Sequence, residues 1–134
     1  MKPLQRILHV EDVPAIQVVT RIALERVGGF QVLSCTTGQE ALDRAAAFDP
    51  DMVLLDAMLP GMDGAETLRR LAGRIDLGRV AVVFLTGDID AERLEELHQL
   101  GAREVLSKPF DPMQLPARLT AIWDAMDDDG TTEG

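Results

Sequence analysis

Acidic residues stand directly after two short apolar runs of this chain. Glu11-Asp12 follow Ile7-Leu8-His9-Val10, and Asp56 follows Met52-Val53-Leu54-Leu55. Thr86-Gly87 end the run Val80–Leu85, and Ser107-Lys108-Pro109 follow Glu104-Val105-Leu106. Brought together, these residues supply three carboxylates, a hydroxyl and an ammonium. Crowded carboxylates repel one another, and burial worsens the repulsion. Either some of them protonate or a divalent cation binds. Oxygen donors of this kind suit a hard ion of the Mg²⁺ type, which takes one or two carboxylates plus water and phosphate oxygens. A carboxylate beside such an ion, a hydroxyl and a lysine can itself attack a phosphoryl group. Lys108 and the cation would then neutralise the phosphoryl oxygens, Thr86 would hydrogen-bond one of them, and the product would be an aspartyl phosphate on Asp56.

The elements that must position these residues read as five strands and five helices. The apolar runs, with Phe30-Gln31-Val32-Leu33 as the second, are mostly continuous rather than alternating, the pattern of strands buried on both faces of a parallel sheet. Helical periodicity fills the gaps. Ile16, Val19, Ala23 and Val27 recur at helical spacing before Gly28-Gly29. Thr37, Asp63, Asp90 and Asp111 stand where N-caps are expected. Leu115, Leu119, Ile122 and Met126 mark the inward stripe of the last helix, and Pro116 predicts a late start or a distorted first turn. The order βαβαβαβαβα predicts a single doubly wound α/β domain with helices on both faces of a parallel sheet. Ligands of such sheets bind beyond the carboxyl ends of the strands, where the acidic residues, Thr86 and Lys108 fall.

Composition narrows the function. The chain has 134 residues, 46% of them hydrophobic and 27% charged, the balance of one globular domain. A net charge of −10 argues against nucleic acid as a partner. The apolar run from Val80 to Leu85 falls far short of the roughly 20 residues of a membrane span, so no membrane partner is expected. The single Cys35 excludes an intrachain disulfide and a cysteine zinc cluster, and with no export signal in view it suggests the cytoplasm. From Asp124 onward there are five acidic residues and no basic ones, so 127–134 reads as an acidic, flexible tail after a domain spanning 4–126.

Taken singly, each candidate has an ordinary explanation. Asp12 could cap the first helix ahead of Pro14, Thr86 could cap the next helix, and Lys108 could be a surface charge. His9 and His98 read as a core and a surface histidine, and Cys35 as a small buried hydrophobe. The segment Gly73–Val80 lacks the Lys and hydroxyl of a phosphate-binding loop and precedes a strand. Asp88, Asp90 and Glu92 begin like a calcium loop, but Arg93 and Gln99 stand where Gly and Glu are needed.

In combination and spacing, Glu11-Asp12, the segment Asp56–Gly64 (Asp-Ala-Met-Leu-Pro-Gly-Met-Asp-Gly), Thr86-Gly87 and Lys108-Pro109-Phe110 resemble the receiver domain of two-component response regulators over residues 4–126. The resemblance implies a flavodoxin-like sheet of order 2-1-3-4-5 and a cis Lys108-Pro109 bond. It implies Asp56 as the phosphoacceptor, with Mg²⁺ held by Asp12, Asp56 and the Met58 carbonyl, and by Glu11 through water. Thr86 and Lys108 would bind phosphoryl oxygens. The implied donor is a phosphohistidine on a histidine kinase or histidine phosphotransfer protein. The implied output is a change of affinity for a protein partner at the face built by the fourth helix, fifth strand and fifth helix. The family usually carries Tyr or Phe three residues before the lysine. Here Val105 stands there, with one stiff torsion, so the expected switch draws Thr86 and the 86–90 loop inward without an aromatic flip. Met58 and Asp88 flank the attack path and would tune dephosphorylation. Trp123, one residue off the inward stripe, is either a partner anchor or an edge-packing residue.

The expected function is that of a stand-alone receiver. It is a signalling phosphoacceptor and no enzyme beyond its own phosphorylation and dephosphorylation. Met1 and the tapering tail favour a natural single-domain protein over a fragment of a hybrid kinase or regulator. A degenerate receiver acting without phosphorylation is the alternative that Val105 keeps open. A Mg²⁺-dependent phosphohydrolase generally carries a second Asp two residues after the nucleophile, where this chain has Met58. A flavin protein would need Ser, Thr and Gly after the first strand.

Overall fold

The computed structural model describes residues 2–87 and 90–131, with side chains through Met126. The elements run β1 (Arg6–Val10), α1 (Pro14–Ile22), a π-helical turn (Ala23–Val27), β2 (Gln31–Cys35), α2 (Gly38–Phe48), β3 (Met52–Asp56), α3 (Gly64–Leu71), β4 (Ala81–Thr86), α4 (Ala91–Gln99), β5 (Glu104–Ser107) and α5 (Leu115–Thr131). All strand pairs are parallel, in the order β2-β1-β3-β4-β5. Every residue of β3 and β4 is buried, which is what continuous apolar runs in a two-sided sheet require.

One core layer joins Val10, Val53, Leu55 and Phe84 to α2, α3 and α4 through Leu42, Leu68 and Leu97. The other joins Ile7, Leu54, Val83 and Leu85 to the π turn and α5 through Leu24, Leu119 and Ile122. The sheet is therefore covered on both faces, and its carboxyl edge is left open for a site. Among the described residues, no helix is long and apolar enough to cross a membrane.

The caps form where the polar residues predict them. Thr37 Oγ1 accepts from Glu40 N–H at 3.0 Å, Asp63 Oδ1 from Glu66 N–H at 2.9 Å and Asp90 Oδ1 from Arg93 N–H at 2.8 Å. Asp111 accepts from Met113 N–H, but α5 itself starts later, at Leu115, with Pro116 in its first turn where no helical N–H is needed. The helical backbone of α5 continues to Thr131, past the boundary expected at 126.

The first helix departs from expectation. Its inward face is Thr20, Ala23 and Leu24, while Val19 and Val27 are about half exposed. The helix widens at Ala23–Val27, where Gly28 N–H reaches back five residues to Ala23 O at 3.2 Å. The extra residue in that turn rotates Val27 outward.

Candidate phosphoacceptor site

Two strands deliver the three carboxylates. β1 and β3 are hydrogen-bonded neighbours, so the ends of both open onto the same edge. One carboxylate oxygen each of Glu11, Asp12 and Asp56 lies within 4.8 Å of the others. Lys108 reaches in from the end of β5, and its Nζ donates to Glu11 Oε1 and Asp56 Oδ2, both at 2.9 Å. The Lys108-Pro109 bond is cis, and Lys108 N–H donates to Thr86 O at 2.8 Å. Glu11, Asp56 and Thr86 are buried, and Asp12 is half-buried.

Asp12 does not cap α1. Val13 occupies the N-cap position, and its N–H donates to Glu11 Oε2 at 3.1 Å. The backbone around Asp56 is equally determined. Met58 N–H donates to Asp56 Oδ1 at 2.9 Å, leaving the thioether three-quarters exposed. Gly64 lets α3 approach this turn: a Cβ there would sit 2.5 Å from Asp56 O.

The charges explain the titration behaviour. Burial pushes the Glu11 carboxyl above its ordinary value, and Asp56 adds to this, against the opposing hydrogen bonds of Lys108 and Val13 N–H. Burial works against the Lys108 ammonium too, but the hydrogen bonds to Glu11 and Asp56 outweigh it and hold its pKa above that of an ordinary lysine. Both partners of one ion pair move up, Glu11 because burial outweighs its hydrogen bonds and Lys108 because its hydrogen bonds outweigh burial. His9, fully buried in β1, is lowered to about 4 by burial and then by Lys108, with Asp56 opposing.

An oxygen-rich set with uncompensated negative charge fits a hard divalent cation. Glu11, Asp12 and Asp56 are the carboxylates that could hold it.

The structure thus brings Glu11, Asp12, Asp56, Thr86 and Lys108 to one edge. Val105 is half-buried in β5 and packs against the α2–α4 core layer. Asp88 lies outside the described residues. Trp123 takes the packing alternative: it is buried, and its indole N–H donates to Lys2 O at 2.9 Å, so it offers no exposed anchor. Sequence reading missed Gln17. Its Nε2 donates to Glu11 O at 3.0 Å and Cys35 O at 3.1 Å, tying α1 to the ends of β1 and β2 beside the carboxylates. A glutamine on a helix carries no signal of such a role.

A five-stranded parallel sheet with an acid-and-lysine edge defines a class, and comparison places the chain in it. The model of the response regulator receiver domain matches residues 7–120, and the chain belongs to that family. It is 34% identical over 121 residues to the probable C4-dicarboxylate response regulator DctR of Halalkalibacterium halodurans, covering 89% of this chain and 51% of that one. It is 40% identical over 117 residues to the DNA-binding response regulator MtrA of Mycolicibacterium smegmatis, covering 87% and 50%. The chain therefore spans about half the length of these curated relatives. Among solved structures it resembles a CheY-like receiver domain protein of Methanospirillum hungatei, with a TM-score of 0.83 and 28% identity over 94% of this chain and 98% of that one. It also resembles the BeF3-activated DrrB receiver domain, with a TM-score of 0.77 and 28% identity over 90% and 98%.

Proposed function

We propose that Asp56 accepts a phosphoryl group from a phosphohistidine of a histidine kinase or phosphotransfer protein. Asp56 Oδ attacks phosphorus, the phosphorus–nitrogen bond breaks, and the imidazole leaves with the bonding electron pair. Mg²⁺, when bound, supplies charge neutralisation and a fixed orientation for the phosphoryl oxygens. Lys108 Nζ, already 2.9 Å from Asp56 Oδ2, neutralises a second oxygen, and the Thr86 hydroxyl at the end of β4 hydrogen-bonds a third. Met58, exposed beside Asp56, borders the path of the hydrolytic water. The observation that carries this reading is the convergence of Lys108 on Glu11 and Asp56, with Asp12 in ligand reach of both.

Two surfaces support the exchange of partners. A groove of about 500 Å³ runs from Lys108 between Ile16 and Val19 of α1 and Phe110 and Pro112, an apolar approach for the donor. A second, of about 750 Å³, lies along Val105 and Ser107 of β5 and Ala117 and Arg118 of α5, part of the α4-β5-α5 face to which we assign output. Phosphorylation draws Thr86 inward and shifts α4, with Val105 packing in place of an aromatic switch.

We read the chain as a free-standing receiver over 4–126, with an acidic extension at 127–134 and protein contact as its output. It works in the cytoplasm, as response regulators typically do, and its net charge of −10 favours a protein over nucleic acid as its direct target. The match over 98% of the Methanospirillum chain favours this form. The coverage of only half of DctR and MtrA favours a second reading, in which the same chemistry serves an attached output domain. Acetyl phosphate with Mg²⁺ should add the mass of one phosphoryl group to the wild type, and none after chelation or in Asp56→Ala. Equal gain in Asp56→Ala rejects the assignment.

A further inference from the structure

Beneath α1 the sheet carries two polar residues, His9 and Ser34, away from its carboxylate edge. His9 and Ser34 are register partners on β1 and β2, so both side chains leave the sheet on one face. It is the face carrying Ile7 and Val32, register partners two residues earlier, which pack in the core layer under the π turn and α5. Thr20 is the fully buried residue of α1, the helix that lies over these two strands. Among the described residues, the buried side-chain polar atoms with no protein hydrogen-bond partner are His9 Nδ1, His9 Nε2, Thr20 Oγ1 and Ser34 Oγ. A neutral imidazole has one N–H to donate and one lone pair to fill, and each hydroxyl can do both. Buried polar groups are not normally left unmatched. All four such atoms belong to three residues on two facing layers of one seam.

We propose that His9, Thr20 and Ser34 form an internal water site between α1 and the β1–β2 pair. A water-sized molecule donates twice and accepts twice, so one such molecule can serve one ring nitrogen and two hydroxyls that make no hydrogen bond to one another. No larger ligand suits it, since the four polar atoms themselves are closed off from solvent, although Ser34 as a residue is only half-buried. The site continues the seam begun by Gln17, so α1 is held to the sheet by hydrogen bonds from the carboxylate edge down to Thr20.

Water oxygen-17 magnetic relaxation dispersion counts long-lived internal waters without interference from hydrogen exchange. Wild type should exceed the variant His9→Leu/Thr20→Val/Ser34→Ala by about one water. Equal amplitudes, with the variant folded by its amide spectrum, overturn the proposal. If the triple variant does not fold, a crystal structure of the wild type decides: a solvent peak bonded to the imidazole and both hydroxyls supports the site, and direct contacts among the three side chains with no peak reject it. The urea midpoint gives an independent reading. Thr20→Val alone should lower it more than the triple replacement does, because the single change strands the remaining polar atoms.

Discussion

Lys108 bears the electrostatic balance of the site. Replacing it with Ala removes the ammonium from two carboxylates and one donor from the incoming phosphoryl oxygens. Phosphorylation of Lys108→Ala by acetyl phosphate should slow by about 100-fold or more, the usual cost of deleting one transition-state donor; an unchanged rate would remove Lys108 from the chemistry. His9 makes a pH prediction. Unfolded, it titrates near 6.5; folded, near 4, lowered by burial first and Lys108 second. Between those values the unfolded chain binds more protons at this site, so the destabilisation due to His9 is absent above pH 6.5, grows as the pH drops and is complete below about 4. The loss amounts to about 3 kcal/mol. Urea unfolding of wild type and His9→Leu at pH 7 and pH 4.5 checks this: the variant should show a flatter dependence. At this scale the sequence was readable wherever a reactive side chain follows a strand end, because the topology alone sends Glu11, Asp12, Asp56 and Lys108 to one edge. It was mute for Gln17, whose amide finds its acceptors only once α1 is docked, and divided for Trp123, whose burial depends on the Lys2 carbonyl 121 residues away.

The first helix shows where periodicity stops being informative. Ile16, Val19, Ala23 and Val27 fit a single stripe, yet the buried face is Thr20, Ala23 and Leu24. Gln17 faces inward because the strand ends offer it carbonyls, Thr20 is buried beside it on the same helix, and the π turn then breaks the 3.6-residue period. Apolar Val18, Val19 and Ile22 are left on the surface, and Val19 lines the Lys108 groove. Gln17→Leu should destabilise the domain by about 1–3 kcal/mol, since the Glu11 carbonyl loses a partner and the Cys35 carbonyl keeps only Glu11 N–H. A urea midpoint equal to that of the wild type would show that α1 does not depend on this clamp. The capped helices α2, α3 and α4 were better forecast, because Thr37, Asp63 and Asp90 act on backbone groups three residues away and need no tertiary context.

For the molecule as a whole, the continuous apolar runs fixed a parallel, two-sided sheet, but periodicity does not say which strands are neighbours. The order β2-β1-β3-β4-β5 is what the family resemblance implies, and the structure has it. That order makes β1 and β3 adjacent, and therefore makes the carboxylate cluster. A cation bound there stabilises the fold by mass action. Mg²⁺ at 100 times its Kd should add about 2.7 kcal/mol to wild-type stability, measured as a rise in urea midpoint, and little or nothing to Asp12→Ala; equal gains would place the ion elsewhere. The most direct test of the account is to locate the phosphoryl group. After treatment with acetyl phosphate and Mg²⁺, borohydride reduces an aspartyl phosphate to homoserine, which peptide mass analysis assigns to a position. Homoserine at position 56, lost in Asp56→Asn, is the expected result; homoserine at another acidic residue, or undiminished phosphorylation of Asp56→Asn, would contradict it.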